Sequence, residues 1–157
     1  MDRGINEMKK IIIILCVLIM GTILFSIFHK KERIQYGDNI DSVQAEFPEI
    51  NGIESCYYKT EIIGSPFLDF IGPTNYHFTA VIIVNSDEME KIAENYPEEK
   101  RDKLSIEQRL IDDTGIEDTM VWTFNKEFRS KVLGWSYVGE VYYLEEENAV
   151  YISVENL

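Results

Sequence analysis

Residues 76–84, YHFTAVIIV, are the stretch that decides the fold. In an extended conformation every second side chain of this stretch lies on one apolar or aromatic face, made of Tyr76, Phe78, Ala80, Ile82 and Val84. The opposite face is apolar as well, at Val81 and Ile83. Because β-branched residues that are apolar on both faces are typical of a strand covered from both sides, we predict a central strand here.

The sequence on either side predicts further strands. Four of them are predicted by alternating or β-branched runs at residues 54–63, 119–124, 135–144 and 149–154. The last two runs are separated by four polar residues, 145–148, and this spacing predicts a β-hairpin. We therefore expect a mainly antiparallel sheet of about five strands.

Helices are predicted by the spacing of apolar residues and by capping side chains. Ser86 opens the clearest helix, in which apolar residues recur at i, i+3, i+4 and i+7. A second helix is expected at residues 105–111, and Asn125 is expected to cap a short third one. Because strands and helices do not alternate in a βαβ rhythm, the predicted fold class is α+β, with two or three helices on one face of the sheet.

An uncharged apolar run precedes this domain, beginning at Ile11 and ending at Phe28. As a helix it would be roughly 27 Å long, which is close to the hydrocarbon thickness of a bilayer, so we predict an N-terminal transmembrane helix. A cleaved secretory signal and a lipoprotein modified at Cys16 are the alternatives. The run is longer than a typical signal-peptide core, no small-residue pair precedes its polar boundary, and apolar residues continue after Cys16, so an uncleaved signal anchor is preferred.

The predicted chain therefore has four parts. They are an N-terminal tail at residues 1–10, the transmembrane helix at 11–28, a charged juxtamembrane linker at 29–41 and an acidic α+β domain at 42–157. Lysine and arginine number three before the apolar run and three after it, so charge does not orient the helix. The position of the run at the N-terminus predicts a single-pass protein of the cell membrane whose C-terminal domain is extracytoplasmic.

Charge is distributed unevenly along the chain. Residues 1–33 have six basic and three acidic side chains, a net +3, whereas residues 34–157 have nine basic and 25 acidic side chains, a net −16. A field of that sign repels phosphate backbones and anionic lipid head groups, so it argues against nucleic-acid binding. Basic proteins, basic peptides or cations are the better-matched partners, and the alternative is an acidic surface that only keeps the domain soluble.

The most unusual part of the domain is the loop at residues 64–75, GSPFLDFIGPTN. Four large apolar side chains lie between its two prolines: Phe67, Leu68, Phe70 and Ile71. Loops normally run over the surface, so these side chains either fold back over the sheet as a lid or form an apolar patch or groove for a peptide, a partner protein or a lipid. In the second case they are the predicted binding site.

His77 is the only histidine of the domain and the only candidate for acid–base catalysis by imidazole. Asp69 and Cys56 lie on neighbouring predicted elements, so a hydrolase that uses His77 with either of them is one alternative, and a structural strand histidine is the other. One histidine and one cysteine do not make a zinc site, and the acidic cluster at residues 112–118 lacks the spacing of a calcium-binding EF-hand loop. We predict no metal and no cofactor.

These observations favour a single-pass membrane-anchored protein whose acidic domain binds a protein or peptide and has no catalytic role. A membrane-tethered hydrolase that uses His77 is one alternative function. An accessory subunit that acts through its transmembrane helix is another. No motif of the domain is typical of a known family.

Overall fold

The computed structural model describes the chain at residues 19–20, 34–63, 75–112, 114–117 and 119–156. The chain divides into two compact units, Met1–Glu32 and Arg33–Leu157. In the first unit only Ile19 and Met20 are described, and both are helical and exposed. Every strand of the described chain belongs to the second unit.

The second unit is built on one antiparallel sheet. Its strands are β1 (Ile34–Gly37), β2 (Ile53–Ile63), β3 (Asn75–Val84), β4 (Lys100–Lys103), β5 (Val121–Phe124), β6 (Tyr137–Leu144) and β7 (Ala149–Asn156). Their order across the sheet is β1-β2-β3-β7-β6-β5-β4. Its helices are α1 (Ile40–Glu46), α2 (Ser86–Asn95), α3 (Gln108–Ile111) and α4 (Lys126–Leu133), and a 3₁₀ turn, Glu145–Glu147, connects β6 to β7.

The prediction that residues 76–84 form a central strand is confirmed. β3 pairs with β2 on one side and with β7 on the other. Side chains on both of its faces are fully buried, including Ala80, Val81 and Ile82. The predicted hairpin is also confirmed, because β6 and β7 pair directly and place Tyr142 opposite Tyr151.

The two faces of the sheet carry separate apolar cores. On one face, here called the helical face, α1, α2 and α4 bury side chains against Phe78, Ile82 and Ile152. On the other, here called the loop face, the segment between β4 and β5 buries Ile106 and its neighbours against Val81. Both apolar faces of β3 are therefore removed from water, which is the main driving force for this arrangement.

Three of the helices begin at an asparagine. Asn39, Asn85 and Asn125 are the N-caps of α1, α2 and α4, and each side-chain oxygen accepts a hydrogen bond from a backbone N–H of the first turn. The prediction for Asn125 is confirmed. The cap predicted at Ser86 lies one residue earlier, at Asn85, because Ser86 is already helical.

The predicted fold class is wrong in its details, because the described chain has seven strands and four helices where five strands and two or three helices were expected. The extra strands are β1 and β4, which are four residues long and occupy the two edges of the sheet. β1 lies in the predicted juxtamembrane linker, and every residue of β4, KRDK, is charged. Strands of four residues are too short to show the apolar alternation on which the prediction relied.

The membrane part of the predicted fold class is also wrong. Within the part of the chain that the structure describes, no helix combines the length and the apolar character needed to cross a membrane. This finding contradicts the transmembrane helix and the description as a membrane, signal-anchor and single-pass protein. Residues 11–28, on which that prediction depended, lie outside the described residues apart from Ile19 and Met20. Length and hydropathy indicate only that a segment could span a bilayer.

Candidate functional site

Part of the loop face is open, and the register of the strands shows what lies there. Five residues on five adjacent strands form one row across the sheet: Ile34, Glu61, His77, Glu155 and Val138. Since side chains alternate between faces, this row projects to the same face as Val81, which is four residues along β3 from His77. The row is five strands wide, so its end residues are about 19 Å apart across the sheet.

Exposed apolar side chains gather at this end of the sheet. Among the described residues of the second unit, the large apolar side chains that are exposed include Ile34 (39%), Ile63 (42%), Trp135 (98%) and Val138 (51%). β1 and β6 begin at this end and β2 ends there, so the four residues share one end of the domain, here called the apolar rim. Ile34, Ile63 and Val138 lie on the loop face of the rim, whereas Trp135 follows α4, which packs on the helical face. Val121, at 41% exposure, lies elsewhere, on β5. A group of exposed apolar residues of this kind marks an interaction surface.

A cleft of about 300 Å³ lies beside Trp135. Its walls come from the end of α4 and the start of β6, and they include Arg129, Leu133 and Tyr137. Gly134 ends α4 with a positive φ of 56°, which turns the chain sharply and leaves Trp135 on the outside. Tryptophan, tyrosine and arginine are the residue types that dominate binding energy in protein interfaces, and here all three line one cleft.

Acidic side chains surround the rim. Glu61 and Glu155 lie on either side of His77 in the row, and Glu140 follows on β6. Two cations are paired with these acids. The Lys59 ammonium lies 3.6 Å from a Glu61 carboxylate oxygen and 3.0 Å from one of Glu107, and Arg129 Nε lies 4.0 Å from a Glu140 carboxylate oxygen. The local field is therefore mainly negative, as the net charge of the domain predicts.

The edge strand β1 is held to the loop face by a second cluster of side chains. The Tyr36 hydroxyl donates a hydrogen bond to the Glu107 carboxylate, which also accepts a hydrogen bond from the Lys59 ammonium. The Arg109 guanidinium lies 3.8 Å from the centroid of the Tyr36 ring. The hydrogen bond from Tyr36, together with the one from Lys59, lowers the pKa of Glu107 below its ordinary value.

Another cleft, of about 360 Å³, opens where β1 ends. It is here called the edge cleft, and it is lined by Tyr36, Gly37, Asp38, Tyr57, Tyr58, Arg109, Leu110 and Asp112. Gly37 lies directly against Tyr58, since a Cβ on Gly37 would be only 2.4 Å from the Tyr58 ring. A larger residue at this position would push β1 away from β2.

The four apolar residues predicted as a binding site, Phe67, Leu68, Phe70 and Ile71, lie outside the described residues, as does Asp69. Their role therefore stays a prediction. The structure does show where this loop is attached, because β2 ends at Ile63 and β3 begins at Asn75. Both attachment points are at the end of the sheet that carries the apolar rim.

His77 and Cys56 do not meet. His77 lies on the loop face, whereas Cys56 pairs with Ile82 in the register and is buried in the core of the helical face. Burial raises the pKa of the Cys56 thiol to about 11, so it is neutral and inert at ordinary pH. The structure instead places His77 Nε2 3.0 Å from the Ser153 hydroxyl oxygen. Ser153 could not be found from the sequence, because only the pairing of β3 with β7 brings these residues together.

The acidic side chains near His77 do not form a metal site. Over the described ranges, no three histidine, cysteine, aspartate or glutamate side chains come close enough to hold a metal ion. Glu61, His77 and Glu155 share a row but do not converge on a point, as expected for side chains that stand parallel on a sheet.

Comparison of the chain with protein families, with characterised proteins and with solved structures gives no match. Function must therefore be argued from the surface itself.

Proposed function

We propose that the acidic domain is a protein- or peptide-binding module without a catalytic role, and that the apolar rim is its binding surface. One observation carries the proposal: Trp135 is 98% exposed and stands beside a cleft that Arg129 and Tyr137 line. Trp122, by contrast, is buried in the core of the loop face. The fold therefore has no need of Trp135 for its own stability.

The energy available at the rim is large enough for binding. A tryptophan side chain that becomes buried loses about 150–250 Å² of accessible surface, which corresponds to about 4–6 kcal/mol of hydrophobic stabilisation. Ordering of side chains and lost translational freedom consume much of this amount. Ile34, Ile63 and Val138 offer further apolar contact area on the loop face of the rim.

The charges around the rim favour a basic partner. Glu61, Glu155 and Glu140 lie between or beside the apolar residues. Acidic side chains at an interface accelerate association with a positively charged partner and disfavour an acidic one. This agrees with the excess of acidic residues over the whole domain.

The test compares Trp135→Ser with Val121→Ser in the full-length protein. Both wild-type side chains are exposed, and the control residue lies away from the rim. Partners are crosslinked in extracts of the source cells, and each captured protein is then purified and titrated against both variants. We expect Trp135→Ser to weaken binding by about tenfold or more and Val121→Ser to leave it unchanged. Equal binding by the two variants would refute the proposal.

A hydrolase is the second candidate, and the distance between His77 Nε2 and the Ser153 hydroxyl favours it. A serine beside a histidine is the arrangement of an activated nucleophile. However, β3 and β7 are each paired on both sides, so their backbone amides are engaged in the sheet and do not form an oxyanion hole. We expect no labelling by a fluorophosphonate serine probe. Labelling that is lost in both Ser153→Ala and His77→Ala would favour the hydrolase.

A further inference from the structure

The two edges of the sheet differ in how well they are protected against pairing with a further strand. β4 has the sequence KRDK, and its charged side chains are engaged in ion pairs, with Lys100 2.8 Å from Asp102 and Arg101 2.7 Å from Glu98. β1 has the sequence IQYG and no charge at all. Charged residues on an edge strand prevent another strand from pairing with it, and β1 lacks this protection.

β1 is also held in place, and among the described residues no strand pairs with its outer edge. The hydrogen bond from Tyr36 to Glu107 and the contact between Arg109 and the Tyr36 ring join β1 to the segment that covers the loop face. In an antiparallel pair every second residue points its N–H and C=O away from the partner strand. A rigid edge with such free groups binds an extended peptide at a lower cost in entropy than a mobile one.

The free edge continues beyond β1. β1 pairs with β2 only from Ile34 to Gly37, whereas β2 extends from Ile53 to Ile63. Among the described residues, the outer side of the first part of β2 has no strand beside it, and the edge cleft lies where β1 ends. An added strand that runs along β1 would therefore end beside the cleft, whose walls include Tyr36, Tyr57 and Tyr58.

The charges along this edge favour a basic occupant over an acidic one. Asp38, Asp112 and Arg109 line the edge cleft, and Lys59 is paired with Glu61 and Glu107 beside β1, so the acidic groups outnumber the basic ones by two. Lysine or arginine side chains of an added strand would meet these groups. A second copy of the chain is disfavoured because each copy carries a net charge of −13.

We propose that an extended, basic segment of a partner protein adds to the sheet along β1 and places its cationic side chains near Asp38 and Asp112. This proposal rests on the proposed binding function and specifies the chemistry of the partner. Strand addition supplies affinity through backbone hydrogen bonds, while side chains at alternate positions supply the selectivity.

The probe is a peptide of about eight residues that alternates valine and lysine, with both ends blocked. A matched peptide has prolines in place of two valines, so it has the same charge and cannot pair as a strand. Both are titrated against the full-length protein while amide hydrogen exchange is recorded. We expect the first peptide to bind at least about tenfold more tightly and to protect amides of β1.

Ile34→Lys and Val121→Lys form the matched pair of variants. Both replace a partly exposed apolar residue by lysine and change the net charge equally, but only the first lies on the free edge. We expect Ile34→Lys to weaken binding of the valine–lysine peptide by about tenfold and Val121→Lys to change it by less than about twofold.

Several outcomes would overturn the proposal. Equal binding of the proline peptide would show that charge alone attracts the probe. Protection, before peptide is added, of the β1 amides that point away from β2, or a dimer that Ile34→Lys disrupts, would show that the edge is already occupied. If the valine–lysine peptide does not bind at about 1 mM while partner capture still depends on Trp135, the edge proposal fails and the proposed binding function stands.

Discussion

Asn125 is a residue where a small change in side-chain volume should have a large and predictable effect on stability. Its side-chain oxygen accepts a hydrogen bond from Phe128 N at 2.9 Å and so caps α4, and its side-chain nitrogen donates to the Pro97 carbonyl at 2.8 Å. Among the described residues, it is the polar side chain that is classed as buried. Replacement by alanine removes both hydrogen bonds at once.

The size of the effect follows from these two contacts. Loss of an N-cap costs about 1 kcal/mol. The Pro97 carbonyl also loses its hydrogen-bond donor, which costs about 1–2 kcal/mol more. This is the lower part of the range for buried carbonyls, because Pro97 is exposed. We therefore expect Asn125→Ala to reduce the free energy of unfolding by about 2–3 kcal/mol. Asn125→Ser keeps an oxygen for Phe128 and should lose only about 1–2 kcal/mol.

The control is Asn39→Ala, which removes the cap of α1 at an exposed site and should cost about 1 kcal/mol or less. Urea unfolding followed by the fluorescence of the buried Trp122 measures all three variants. With an m-value of about 1.5–2 kcal/mol/M, the midpoint of Asn125→Ala should fall by about 1–2 M. If Asn125→Ala and Asn39→Ala lose the same stability, the contact with Pro97 contributes nothing and the reasoning is wrong.

Three further predictions follow from burial and charge. Trp122→Ala should cost about 3–5 kcal/mol and Trp135→Ala less than about 0.5 kcal/mol, because only the first side chain is buried, and similar unfolding midpoints would contradict this. The hydrogen bond from Tyr36 lowers the pKa of Glu107 in the folded protein. The ionised Glu107 carboxylate therefore stabilises the fold fully above the unfolded pKa of about 4.3, and this stabilisation is lost as the pH falls through the lower pKa of the folded state. The stability gap between wild type and Glu107→Gln should therefore narrow between about pH 5 and about pH 3 in acid titrations of unfolding, and a constant gap would count against the contact. In a Cys16→Ser background, Cys56 should react with a thiol reagent only on unfolding, because burial raises its pKa to about 11, and immediate labelling of the native protein would disprove this.

Local patterns predicted the centre of the sheet well. β3 and the hairpin of β6 and β7 were identified because long strands with one or two buried faces show regular apolar alternation. The cap at Asn125 was identified because an asparagine directly before an amphipathic run is typical of a helix N-cap, which depends only on neighbouring residues. These features depend on neighbours in sequence, so no tertiary information was needed.

The edges and the site could not be predicted in the same way. β1 pairs Ile34 with Glu61, and β4 pairs Lys100 with Phe124, so each edge strand is defined by a distant partner. The apolar rim is assembled from the ends of three strands and one helix–strand connection. Trp135 in the sequence belonged to a predicted strand, where it would have been expected to pack, whereas the structure places it outside the sheet.

By itself, the sequence determined the α+β class, the central apolar strand, the C-terminal hairpin and the acidic character of the domain, because composition and short-range periodicity express these properties directly. Only the tertiary structure decided the number of strands, the separation of His77 from Cys56 and the gathering of exposed apolar side chains at one end of the sheet. The physical reason is strand register: a shift of one residue moves every side chain to the opposite face, and register is set by long-range pairing.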